Sequence, residues 1–192
     1  MTTPLPSPPA MPEERGRLPG DMSRKDRRAR IIRVDQAGEY GAKRIYDGQL
    51  AVLGHLPAAK SIRHMAEQEI RHLKVFDELL VQERIRPTML SPVWHVAGFA
   101  LGAASALLGV KAAMACTEAV EDVIEAHYSD QAAHLGSEDA DLKTTIEEFR
   151  LDEMAHRDQA RAEGAHEAPA YELLRAATKM GTKLAIFLSE RI

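Results

Sequence analysis

A single cysteine, Cys116, stands in a chain of 192 residues. A lone thiol excludes a disulfide framework, a cysteine-based zinc site and a cysteine-ligated iron–sulfur cluster from this chain. Positive charge is not in surplus either. Lys and Arg number 25 against 29 Asp and Glu, a net charge of −4, so the basic stripe of a nucleic-acid binder is missing. Aromatic residues make up only 5%. No stretch alternates apolar and polar residues for long enough to read as a strand, and no Gly-rich dinucleotide loop is visible. What is present is 45% hydrophobic and 28% charged, rich in Ala, Leu and Glu as helical globular proteins are. The length suffices for one domain with a proper core.

The first 22 residues carry six prolines and no apolar periodicity. They read as a disordered Pro-rich tail, which leaves 23–192 for the folded domain. The tail lacks the apolar core of a secretory signal and the amphipathic Arg-rich helix of a mitochondrial presequence. The basic run "RKDRRAR" at 24–30 follows it. That run suits either a solvated first helical turn or contact with an anionic membrane surface.

Beyond the tail, apolar residues recur at helical spacing. A first helix is expected over 23–53, ending where Gly54 can cap it and Pro57 can start the next. A second is expected over 57–84, stopping before Pro87. Residues 88–110 contain no Asp, Glu, Lys or Arg. A third helix is expected over 111–135, with Gly136 ending it. Ser137 is expected to cap a fourth that reaches about 163, with Glu138 and Asp139 suiting its N-terminal dipole. Pro169 is expected to open a fifth helix that runs to the end. The short first–second and third–fourth connections make two antiparallel hairpins, and the long middle connection can cross the bundle. The expected fold is all-α: a four-helix bundle with an apolar crossover segment and a fifth C-terminal helix.

Stepping by three and four gives the inward stripe of each helix. The second helix gives Ile62, Met65, Glu69, His72, Phe76 and Leu79. The fourth gives Leu142, Ile146, Phe149, Glu153, His156 and Ala160. In both, a Glu-x-x-His pair interrupts a mostly apolar seam. The first helix gives Ile32, Asp35, Glu39, Ala42, Tyr46, Gln49 and Leu53. The third gives Met114, Glu118, Glu121, Glu125, Tyr128 and Leu135. Each seam thus holds at least one carboxylate near its middle.

A bare carboxylate in an apolar core costs several kcal/mol even after relaxation, and four facing one another cost far more unless neutralised. Four carboxylates carry −4, and two divalent metals carry +4. Neutral histidines add nitrogen ligands without changing that sum. Residues i and i+3 share one helical face, so a Glu and a His at that spacing can reach one metal. One Glu from each of two helices with Glu-x-x-His from each of the other two is the ligand set of di-iron and di-manganese carboxylate bundles. The order agrees: Glu39 precedes Glu69 by 30 residues and Glu121 precedes Glu153 by 32. On the third helix, spacing alone favours Glu121 and Glu125 equally, since Glu125 lies 28 before Glu153. Iron or manganese suits nitrogen and oxygen donors better than copper or zinc here. Two ferrous ions with open positions could bind and cleave O2.

The uncharged segment 88–110 is long enough to suggest a membrane span. A single crossing there would put the two hairpins on opposite sides of a bilayer, where they could not share a site. The segment is expected instead to pack on the bundle or to lie in the membrane interface. The fifth helix adds an apolar edge of Tyr171, Leu174, Met180, Leu184, Phe187 and Leu188. Together they suggest a lipid-facing entrance. His55, His64, His95, His134 and His166 have no in-seam Glu three before them and are read as surface or satisfied core residues. Asp35, one turn before Glu39, can orient a ligand. Cys116 is read as a small buried filler.

The strings "RVDQAGEYGAKRIYDGQLAVLG", "EQEIRHLKVFDELL", "RPTMLSPVWHVAGFALGAASALLG", "KAAMACTEAVEDVIEAHYSDQ", "DEMAHRD" and "KLAIFLSERI" resemble the demethoxyubiquinone hydroxylases of ubiquinone biosynthesis, from about residue 32 to 192. That resemblance implies a ferritin-like domain with two iron ions (Fe2+/Fe3+), peripheral on the membrane that holds its polyprenyl quinol substrate. By matched motif it implies the metal ligands Glu39, Glu69, His72, Glu121, Glu153 and His156, with Glu69 and Glu153 bridging. His127 and Tyr128 also match, near the site, where they would gate substrate or electrons. Gln36 stands where the family usually has His, and Ala155 where it usually has an acidic residue; neither is a ligand. The implied activity is hydroxylation, with O2, of a 5-methoxy-2-methyl-3-polyprenyl benzoquinol on the cytoplasmic face of a bacterial cell membrane. NADH, a reductase or the quinol itself remain open as electron donor, with other ubiquinone-biosynthesis proteins as candidate partners. Two other functions compete: an iron-storing bundle, which would mineralise iron, and a metal-free scaffold, which would bind none.

Overall fold

A computed structural model describes residues 22–57 and 59–192. The Pro-rich segment before residue 22 lies outside the described residues. Six helices follow one another: α1 (Arg24–Leu53), α2 (Ala59–Glu83), α3 (Ser91–Leu107), α4 (Val110–His134), α5 (Ala140–Ala162) and α6 (Tyr171–Ser189). No strand occurs among the described residues. α1 begins where Ser23 accepts a hydrogen bond from the Asp26 backbone N–H, and ends where the Gly54 N–H reaches the Leu50 carbonyl. α1 with α2, and α4 with α5, form the two expected hairpins.

The inward stripes fold as their periodicity implies. All seven residues of the α1 stripe and all six of the α5 stripe are buried. On α2, Leu80 rather than Leu79 takes the last buried position. Two apolar clusters result. One gathers Phe76, Tyr128, Ile146 and Phe149. The other gathers Leu53, Ile62, Met65 and Met114. Burying each such side chain contributes roughly 1.5–3 kcal/mol. The Glu and His residues lie between the two clusters.

Two local expectations at helix starts are corrected. Ser137 does not cap α5: a short 3-10 turn (Ser137–Asp139) precedes it, and Asp139 occupies the capping position without a side-chain cap bond. The Asp139 carboxylate instead receives Arg24 at 2.9 Å and Arg28 at 3.1 Å. Arg28 also pairs with Glu83 at 2.7 Å and Asp141 at 2.8 Å. Two charges of the basic run at 24–30 are therefore used in tying α1 to the starts and ends of its neighbours. Likewise α6 begins at Tyr171, after Ala170 in the left-handed region, so Pro169 lies in the turn before the helix.

The uncharged crossover is a helix. α3 lies along α1 because glycine removes the side chains between them. A Cβ at Gly102 would run into the backbone of Ile45, and one at Gly48 into that of Phe99. Contact this close requires Gly at both positions. No helix among the described residues is long and apolar enough to cross a membrane. α6 packs mainly on α4. Trp94 Nε1 donates to Ser189 Oγ at 3.0 Å, joining the start of α3 to the end of α6.

Candidate metal centre

Glu39 comes from α1, Glu69 and His72 from α2, Glu121 from α4, and Glu153 and His156 from α5. The structure brings all six together. They form two overlapping groups, Glu39, Glu69, His72 and Glu153, and Glu69, Glu121, Glu153 and His156. Within each group the donor atoms lie within 4.8 Å of one another. Glu69 and Glu153 belong to both. Every one of the six is at most 2% exposed.

Protein contacts leave this cluster incompletely satisfied. Glu39 Oε2, both oxygens of Glu69, His72 Nδ1, Glu121 Oε2 and Glu153 Oε1 are buried without a hydrogen-bond partner. His72 Nδ1 is 3.2 Å from Glu153 Oε1, and Glu69 Oε1 is 3.1 Å from His156 Nδ1, which itself pairs with Glu153 Oε2 at 3.3 Å. The His72–Glu153 and His156–Glu69 approaches are not aligned for hydrogen bonds. Buried polar atoms are ordinarily paired. Six converging donors that are not form a donor set able to hold metal ions, and carboxylate with imidazole suits iron or manganese.

With protein groups alone, protons must balance the charge. Burial pushes Glu69 and Glu121 well above the usual carboxylate range, and the charge of Glu153 adds to it. Burial opposes charge on Glu153 too, but the imidazoles of His156 and His72 outweigh it and hold its carboxyl at about 2. Burial likewise opposes charge on His72, yet its contacts with Glu153 and Glu39 raise it to about 12. A divalent cation would displace such protons.

The surrounding contacts fix the donors. His72 Nε2 lies 3.0 Å from Asp152 Oδ2, and His156 Nε2 lies 3.1 Å from Gln68 Oε1, so each Nδ1 faces inward. This outer support orients a ligand and sets its basicity. Tyr46 donates to Glu121 Oε1 at 2.7 Å, and Tyr128 donates to Glu39 Oε1. The ring of Phe149 stacks on His72 at 4.0 Å between centroids. Asp152, Gln68 and the Tyr46 hydrogen bond were not singled out from the sequence. Asp152 and Gln68 immediately precede Glu153 and Glu69, which is the only signal that could have pointed to them.

The ambiguity on the third predicted helix, α4, resolves in geometry. Glu121 faces the cluster. Glu118 turns to Arg161 at 2.8 Å and Tyr171 at 2.8 Å, and Glu125 to Arg150 at 2.9 Å. Asp35 is buried and accepts from Gln131 Nε2 at 2.7 Å; His127 Nε2 lies 3.5 Å from the same oxygen. Asp35, His127 and Tyr128 border a cavity of about 380 Å³ between α1, α3, α4 and α6. His55, His64, His95, His134 and His166 are exposed and apart from the cluster. Cys116 is fully buried.

Residues 26–189 match the family described as Ubiquinone biosynthesis protein COQ7. A relative from Rhodospirillum rubrum, named 3-demethoxyubiquinol 3-hydroxylase, is 56% identical over 177 residues, covering 92% of this chain and 84% of its own. A human relative named NADPH-dependent 3-demethoxyubiquinone 3-hydroxylase, mitochondrial, is 51% identical over 167 residues, covering 85% and 77%. The 5-demethoxyubiquinone hydroxylase of Saccharomyces cerevisiae is 41% identical over 180 residues, covering 85% and 77%. With its all-helical bundle and its match across most of the sequence, the chain belongs to the COQ7 family of ubiquinone-biosynthesis proteins.

Proposed function

We propose that this chain hydroxylates the ring of a demethoxyubiquinol with O2, using two iron ions held by Glu39, Glu69, His72, Glu121, Glu153 and His156. The observation that carries the reading is that both donor groups share Glu69 and Glu153. Two carboxylates common to two donor sets suit a pair of cations lying a few ångströms apart. The Rhodospirillum rubrum relative is named for hydroxylation of demethoxyubiquinol and the human one for hydroxylation of demethoxyubiquinone.

Bound ferrous ions would supply electrons and open positions for binding and cleaving O2. The chain does the rest. Asp152 and Gln68 hold the imidazoles, while Tyr128 and Tyr46 hold the carboxylates of Glu39 and Glu121. Phe149 and Phe76 pack over the His72 side and keep it dry. The cavity offers the quinol ring an apolar berth that ends at Tyr128, whose hydroxyl touches Glu39. One oxygen atom is inserted into a ring C–H bond to give a hydroxyl, the other leaves as water, and two electrons with two protons come from outside. Mammalian relatives are named NADPH-dependent; a reduced nicotinamide nucleotide, direct or through a reductase, is the proposed source here.

A polyprenyl tail calls for a membrane. Val96 on α3 is 66% exposed, and Leu184 and Phe187 on α6 are 55% and 51% exposed. These helices form the outer walls of the cavity. They would rest on the cytoplasmic face of a bacterial cell membrane, which vesicle co-sedimentation checks. The central test is anaerobic ferrous loading, iron counted per chain, then O2 and a short-chain demethoxyubiquinol. Two irons and one O2 per hydroxylated ring are expected. Iron mineral without quinol turnover, or no bound iron, would refute the proposal.

A further inference from the structure

Glycine inside a helix is disfavoured against alanine, so each such glycine asks for a reason. Gly48, Gly98 and Gly102 have one, because a Cβ on any of them would run into backbone of the facing helix. Gly54, Gly109, Gly136 and Gly164 lie at helix ends or in connections. Three remain among the described residues: Gly38 and Gly41 inside α1, and Gly181 inside α6. A Cβ at each would meet nothing within 4 Å. The protein's own packing therefore does not call for glycine at these positions. All three border the cavity between α1, α3, α4 and α6. All three also present accessible surface: Gly38 and Gly41 are half-buried, and Gly181 is exposed. The side chains they lack would stand in space that a molecule in the cavity can reach.

We propose that these three glycines determine what the cavity accepts: Gly38 and Gly41 form the floor on which the quinol ring lies, and Gly181 keeps open the gap through which the isoprenoid tail leaves. This inference rests on the functional reading above and names the residues that set the shape of substrate the site takes. Gly38 and Gly41 are three apart and share one face of α1. They are separated by about 4.5 Å along the axis, comparable with the width of a benzene ring. Bare helix backbone between the side chains of Val34 and Ile45 makes a shallow, flat seat. A planar ring can rest there within reach of Tyr128, whose hydroxyl touches the carboxylate of Glu39, the residue between them in the chain. The exit lies on the other wall. Ala97 on α3, with Gly181 and Leu184 on α6, both line the cavity and are exposed. The cavity thus opens outward between α3 and α6, and a side chain at 181 would stand in that opening.

The test uses the iron-loaded full chain and its sole tryptophan, Trp94, which lines the cavity and reports on its contents. Binding is read anaerobically, by Trp94 quenching, for two demethoxyubiquinols: one with methyl in place of the tail, one with a tail of two isoprene units. Melting is read alongside. Gly38→Ala and Gly41→Ala should raise Tm by about 1–4 °C, as alanine does in an unobstructed helix of a domain this size. The same variants should weaken both quinols by about tenfold, because the added carbon overpacks an occupied seat. Gain of stability with loss of binding is a pairing that a merely structural role would not give. Gly181→Leu should weaken the tailed quinol by about tenfold and leave the tailless one at its wild-type affinity. A lower Tm for the two α1 variants would mean that the protein's own packing requires glycine there, and would overturn the floor. Wild-type affinity of those variants for both quinols would overturn it as well. Equal effects of Gly181→Leu on the two quinols would overturn the exit. In each of these cases a wild-type chain that hydroxylates the tailed quinol leaves the enzyme standing. A wild-type chain that binds neither quinol and turns over none overturns the functional reading and this inference with it.

Discussion

Replacing Gly102 by Ala tests whether α3 lies against α1 as closely as described. An added Cβ would overlap the carbonyl group of Ile45. In a helix interior free of neighbours, Ala is better than Gly by about 0.5–1 kcal/mol. Overpacking a core by one carbon costs about 1–3 kcal/mol when a side chain can yield. Here the obstacle is backbone, tied into the α1 ladder and unable to rotate away, so about 3 kcal/mol is expected. The net loss is then about 2 kcal/mol. For a domain of this size, each kcal/mol lowers Tm by about 2–4 °C, which gives a fall of about 4–8 °C. Far-UV circular dichroism melting of the iron-loaded chain reads it. Gly181→Ala is the control, because a Cβ there meets nothing within 4 Å, and its Tm should hold or rise. Both α1 and α3 line the cavity, so Gly102→Ala should also raise KM for the quinol. A Gly102→Ala chain that melts at or above wild type would refute the close approach and the shape of the cavity derived from it.

Metal stoichiometry should separate the shared donors from the unshared ones. Glu39→Ala strips a donor from one group and should leave about one iron per chain, while Glu69→Ala strips both groups and should leave almost none; equal losses in the two variants would argue against bridging. Metal loading should release protons, because burial holds them on Glu69 and Glu121, and contacts with Glu153 and Glu39 hold one on His72 against its burial. Groups raised in this way are protonated at low pH, so protons compete with the metal and affinity should climb as pH rises. The climb is about tenfold per pH unit for each proton displaced, and titration calorimetry in two buffers of different ionisation enthalpy counts those protons.

The seams of α1 and α5 were legible because a 3.6-residue period leaves little choice once a helix is long and one-sided. Glu39, Glu69, His72, Glu153 and His156 lie together on faces their spacing marked, whereas spacing left Glu121 and Glu125 equal, and it is the fold that turns Glu121 inward and Glu125 to Arg150. The crossover was not legible as a helix. Its large apolar residues run all round, so they mark no face, and its docking depends on Gly98 and Gly102 meeting backbone of α1. The buried stripe, Gly98, Gly102, Ser105 and Ala106, does recur at helical spacing, but it is made of small residues rather than large apolar ones. Ser137 had the chemistry of a cap, but a 3-10 turn intervenes and Asp139 is drawn to Arg24 and Arg28 instead. Cross-helix bonds such as those of Asp152 to His72 and Tyr46 to Glu121 join residues 80 and 75 positions apart, where sequence spacing carries no signal.

The two hairpins offer the same donors in the same order, yet their surroundings differ, and the difference bears on the end at which the proposed substrate would arrive. Tyr46 and Tyr128 make equivalent contacts: each is buried, and each donates to a cluster carboxylate. Behind Tyr46, however, stands Met65, at 3.8 Å from its hydroxyl, within the closed apolar cluster that includes Met114. Tyr128 borders the cavity. The imidazole on the Tyr128 side, His72, is backed by the carboxylate of Asp152, whereas His156 is backed by the neutral amide of Gln68. A carboxylate makes its imidazole the more basic ligand. The Glu39–His72 end thus both faces the cavity proposed for substrate and carries the stronger donor. Tyr46→Phe should leave quinol affinity by Trp94 quenching at the wild-type value, though it frees a buried Glu121 oxygen and lowers stability by about 1–3 kcal/mol. Tyr128→Phe should cost similar stability and in addition change quinol affinity, because the lost hydroxyl stands between the cavity and Glu39. Equal effects of the two substitutions on quinol affinity would mean that substrate does not approach from the Glu39 side.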